Sequence, residues 1–139
     1  MTKLLFPQEL EVWYVLPAIR KRLAIGLIAK GQPQKAVAKL MGVTEAAISQ
    51  YKKEKRANSD FLGTEFDEEI YEAIDKINND GQHFFSEVMK LNNIIKHSET
   101  FCNLHKKVVP TELPCDSCEL KVCIASVTNN RTLLITSYI

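Results

Sequence analysis

The sequence predicts a mainly α-helical chain closed by a small, loop-rich cysteine module, and three observations carry that prediction. Between residues 8 and 97, apolar side chains recur at three- and four-residue spacing, the period of a helix with one buried face. Gly31, Gly42 and the pair Asp80-Gly81 interrupt the period where helices would have to stop. After Ser98 the period fails, and all four cysteines fall between residues 102 and 123. Three segments are therefore expected: a helix-turn-helix domain over 1–58, a helical hairpin or dimerisation segment over 59–98, and a metal-binding module over 99–139.

Taken in order, residues 8–30 read as one helix with Leu16, Ile19, Leu23 and Leu27 on a stripe. Pro7 suits its first turn, whereas Pro17 lies inside and should kink or restart it. Gly31 ends it. A short helix follows, with Pro33 at its first position and Gly42 just past its end. Thr44 is placed to cap a third helix through about Lys55, with Glu45 in the first turn opposing the helix dipole. "RANSDFLGT" reads as a linker or turn. In 66–79, Ile70, Ala73, Ile74 and Ile77 share a helical face, and Asp80-Gly81 breaks it. In 83–97, Phe84, Phe85, Val88, Met89, Leu91 and Ile95 are all assigned to the core. Pro110 and Pro114 make the cysteine region mostly loop, and "RTLLITSYI" suits one short strand.

At 139 residues, 45% hydrophobic and 25% charged, the chain has room for one compact domain with an appendage. No run approaches the roughly 18 apolar residues of a membrane span. "MTKLLFPQELEVW" lacks the apolar core of a signal peptide, so the cytoplasm is expected and the sequon at Asn130 reads as chance. The net charge of +1 conceals an asymmetry. Residues 1–56 carry 11 Lys/Arg against 4 Glu, while 57–139 carry 7 against 13 Asp/Glu. A basic half joined to an acidic half suggests that one end meets a polyanion.

The most specific signal is "QKAVAKLMGVTEAAISQYKKEKR", residues 34–56. A helix-turn-helix needs a small residue where its helices cross, here Ala38, and a residue free to reverse the chain, here Gly42. It also needs inward apolar residues from both helices, a role met by Val37, Met41, Val43, Ile48 and Tyr51. With these residues in place, the stretch resembles the phage-repressor-like Cro/Xre transcriptional regulators. Together with "VWYVLPAIRKRLA" it looks like small archaeal predicted regulators with an N-terminal helix-turn-helix. The resemblance covers residues 8–57. It departs at Gln32-Pro33, where a Ser or Thr cap is usual, and at Tyr51, where an aliphatic residue is usual.

In such a motif the second helix enters the major groove of double-stranded DNA with its N-terminal residues at the base edges. Its outward positions here are Thr44, Glu45, Ala46, Ser49, Gln50 and Lys53. Gln50 suits adenine, Ala46 a thymine methyl and Glu45 the cytosine amine, while Ser49 is permissive. Lys52, Lys53, Lys55 and Arg56 would sit on phosphates, and so would the backbone at Gln34, which opens the preceding helix. One such head makes few contacts, so tight binding implies a homodimer on a two-fold site.

Cys102, Cys115, Cys118 and Cys123 follow the order Cys-x12-Cys-x2-Cys-x4-Cys. In a reducing compartment this bunching favours a metal over disulfides. Zinc wants two short-spaced pairs, which Cys102-x2-His105 and Cys115-x2-Cys118 supply, leaving Cys123 over; alternatively Cys123 replaces His105. A cubane iron–sulfur cluster would use all four thiolates, and this is the preferred expectation. The order is similar to that of cluster-bearing WhiB regulators, with the final gap one residue shorter. The expectation is a DNA-binding regulator whose cluster senses redox poise or iron, its loss reordering residues 99–139. Structural zinc supporting dimerisation or partner binding is the alternative. Thiol–disulfide catalysis at Cys115 and Cys118 lacks its βαβ context, so no enzyme is expected. A non-specific DNA-coating protein would show no sequence preference.

Overall fold

The computed structural model describes residues 6–53 and 61–108, and among them the chain is helical, with no strand. The N-terminal helical run comprises α1 (Pro7–Leu10), a wide π-type turn (Glu11–Val15) and α2 (Leu16–Ala29). Pro17 explains the wide turn. It has no N–H to offer the carbonyl four residues back, so the ladder loosens just before it, and the Leu16 N–H reaches the Glu11 carbonyl instead. The helix therefore passes the proline without a break.

Next come α3 (Gln34–Met41), α4 (Glu45–Lys53), α5 (Asp67–Asn79), α6 (Phe84–Lys96) and α7 (Glu99–Val108). α2 is the hub, packing against α3, α4, α5 and α6. Its buried Ala18, Ile19, Leu23, Ala24 and Leu27 wrap more than one side of the helix, as a central position requires. Arg22 holds Asp67 at 2.7 Å and also reaches the Gly63 carbonyl; Gln32 donates to Asn78 at 2.8 Å, and Lys30 meets Asp75 at 2.9 Å. Contacts that advance along α2 and the turn after it thus advance along α5 as well, so the two helices run in the same direction. α5 and α6 form an antiparallel hairpin through a tight turn at Gly81–His83, where the Asp80 side chain accepts from the Gln82 N–H. Lys76 and Glu87 face each other across it at 3.6 Å.

One apolar core runs from Leu10 through α2, α3, α4, α5 and α6 to Phe101 of α7. Two sequence expectations fail here. Residues 99–108, assigned to a loop-rich module, form α7, with Phe101, Cys102 and Leu104 buried. The Ser98 hydroxyl accepts from the Phe101 N–H at 3.3 Å, a helix cap followed by Glu99 in the first turn. Phe85 and Met89, assigned to the core, are 75% and 55% exposed. The buried stripe of α6 is Glu87, Leu91 and Ile95, with Phe84 and Val88 beside it. At 3.6 residues per turn, Phe85 and Met89 stand about 100° or more round from that stripe. The expected C-terminal strand and most of the linker over 56–64 lie outside the described residues.

Candidate nucleic-acid interface

α3 and α4 are joined by a turn of three residues, Gly42 to Thr44. Gly42 adopts φ 66°, the left-handed conformation that a glycine takes without a Cβ penalty. The Val43 N–H then returns to the Ala38 carbonyl at 3.0 Å, which closes α3 and turns the chain. Ala38 is buried where α3 passes α4, together with Val37, Met41 and Ile48, while Val43 and Tyr51 pack partly buried against them. The small residue, the glycine and the inward set thus occupy the positions that the sequence assigned. Pro33 precedes α3 rather than opening it, and no side chain caps that end. The start of α4 is capped: the Thr44 hydroxyl accepts from the Ala47 N–H at 3.1 Å.

Thr44, Glu45, Ala46, Gln50, Lys52 and Lys53 are exposed along α4, and Ser49 is half-buried beside them. The face expected to read bases is therefore presented to solvent on one helix. Lys52 and Lys53 fill its last described turn, where cations also suit the carbonyl end of a helix. Lys35 and Lys39 are exposed on α3, a basic contribution that the sequence reading passed over. Lys55 and Arg56 lie outside the described residues.

Sequence reasoning missed the role of the Gln34 side chain. Its Nε2 donates to the Glu45 carbonyl at 2.9 Å and to the Ser49 hydroxyl at 2.6 Å. A backbone carbonyl only accepts, so the amide nitrogen must be the atom facing it, and this fixes the orientation of the side chain. The first residue of α3 is thereby tied to the outward-facing turn of α4. The bond spans 15 residues and depends on the rotamer of Gln34, which no local pattern encodes.

The metal-site expectation is only partly placed. Cys102 is 7% exposed on α7, and His105, one turn on, is half-buried. Cys115, Cys118 and Cys123 lie outside the described residues. Among the described residues no three His, Cys, Asp or Glu side chains gather to hold a metal, and no helix is long and apolar enough to cross a membrane. Compared with known protein families, curated proteins and solved structures, the chain has no significant match.

Proposed function

We propose that the chain is a sequence-specific double-stranded DNA-binding protein that reads the major groove with α4, acts as a homodimeric transcriptional regulator and carries a metal in its C-terminal cysteines. The observation that carries the DNA reading is the tight α3–Gly42–α4 turn, with polar Thr44, Glu45 and Gln50 and basic Lys52 and Lys53 exposed on α4 and Ser49 half-buried beside them. Gln50 and Glu45 carry base-reading groups, and Ala46 offers a methyl contact. Lys52, Lys53, Lys55 and Arg56 serve the backbone phosphates, as does the start of α3 at Gln34.

The test is the salt dependence of binding. Each phosphate contact contributes roughly 0.9 to the slope of log affinity against log salt. The triple variant Lys52→Ala, Lys53→Ala, Arg56→Ala should flatten that slope by about two to three units. An unchanged slope in a titration series would reject the interface.

An iron–sulfur cluster held by Cys102, Cys115, Cys118 and Cys123 would supply sensitivity to redox poise. Cys102 shares α7 with core residue Phe101, so ligation at this position would act on a helix fixed to the core. The zinc alternative rests on the spacing of Cys102 and His105, three residues apart on α7 and so on one side of it, Cys102 buried and His105 half-buried. Zinc there would brace α7 for dimerisation or partner binding. Anaerobic purification with metal analysis should return iron, sulfide and a visible band that bleaches in air. Colourless protein with stoichiometric zinc, kept in Cys123→Ser, would replace the cluster by the Cys102–His105 site.

A further inference from the structure

We infer that Gln34 turns Ser49 into an outward hydrogen-bond donor, so that Ser49 reads the N7 acceptor of a purine in the major groove; this rests on the DNA-binding reading above. A serine inside a helix commonly satisfies itself by donating to the carbonyl four residues back. For Ser49 that carbonyl belongs to Glu45, and it is the one the Gln34 amide occupies at 2.9 Å. In an α-helix a carbonyl also takes the ladder bond from the N–H four residues on, and in α4, which begins at Glu45, that N–H is Ser49's, so both lone pairs are engaged.

The Gln34 amide also donates to the Ser49 oxygen at 2.6 Å, filling one of its lone pairs. The serine proton is thus excluded from its usual partner and from the Gln34 nitrogen. Half-buried between exposed Glu45, Ala46 and Gln50, Ser49 has the outward face of α4 left to donate into. Purine N7 is an acceptor in the major groove for both adenine and guanine. Ser49 therefore selects purine over pyrimidine at one position per half-site, and Gln34 is the positioning residue that makes it do so.

The experiment enriches duplexes from a randomised pool with the full chain, with Ser49→Ala and with Gln34→Leu, and checks each protein for unchanged helical signal. The native chain should enrich a purine at one position that Ser49→Ala no longer distinguishes, a loss of about two- to tenfold in preference. Gln34→Leu keeps the bulk, frees the Glu45 carbonyl and should weaken preference at that same position alone. A 7-deazapurine placed there should cost the native chain the same factor and cost Ser49→Ala nothing further. The inference fails if Ser49→Ala keeps every preference, which would put the hydroxyl on a phosphate. It also fails if Gln34→Leu lowers all positions evenly, since Gln34 would then only brace the helices. A pool from which no sequence is enriched defeats the DNA-binding reading itself, a distinct outcome.

Discussion

Phe101→Ala should lower the unfolding free energy of the full chain by about 3–5 kcal/mol, because it empties a fully buried aromatic site. Phe101 is among the largest side chains of the core, at 1% exposure, and it sits on α7, the described helix furthest from the N-terminus. The size of the effect depends on what α7 is. A helix lying loosely on the surface would lose well under 1 kcal/mol, as exposed positions do. Denaturant unfolding read by helical signal distinguishes the two, and Lys106→Ala, exposed on the same helix, is the control expected within about 0.5 kcal/mol of the parent. Because Cys102 is the neighbour of Phe101, the same measurement bears on the metal question. If the core holds α7, a ligand at Cys102 is anchored to the helices that carry α3 and α4.

α7 also shows where the sequence could be read and where it could not. Its signals were local: Ser98 as a cap, Glu99 in the first turn, then Phe101, Leu104 and Val108 at helical spacing. They were outweighed by Pro110, Pro114 and the cysteines, which made the whole region read as loop, although both prolines fall after the helix. The tight turn between α3 and α4 was legible for the opposite reason. Ala38, Gly42 and Ile48 each meet a requirement of a short, steric motif, and the spacing between them leaves one arrangement. Phe85 and Met89 went wrong because residue type alone assigned them inward, while the helical angle places them on the outer side of α6. The Gln34 bonds and the meeting of α2 with α5 depend on residues brought together by packing, so they become visible only once the partner helix is known.

That meeting of α2 with α5 gives the second large effect. Gly26 lies in the middle of α2, where glycine costs a helix close to 1 kcal/mol relative to alanine. On propensity alone, Gly26→Ala should stabilise the protein. The structure reverses the sign. A Cβ at Gly26 would stand 2.2 Å from the Ile74 Cδ1 and 2.9 Å from its Cγ1, distances at which something must move. Ile74 is 3% exposed, and because its Cγ1 is also in conflict, turning the chain end aside does not relieve both contacts. Overpacking of this kind costs about 1–3 kcal/mol, more than the helix propensity returns. Gly26→Ala should therefore destabilise, by up to about 2 kcal/mol. Ile74→Val deletes the atom in closest conflict and by itself should cost about 0.5–1.5 kcal/mol for the methyl it removes. In the double variant the new Cβ occupies the space the lost methyl leaves, so the two losses should fall short of their sum by 1 kcal/mol or more, a coupling typical of residues in contact. Additive losses in a denaturant double-mutant cycle would mean that α2 and α5 adjust freely. In that case the hub holding α3 and α4 would not be set by the close approach at Gly26.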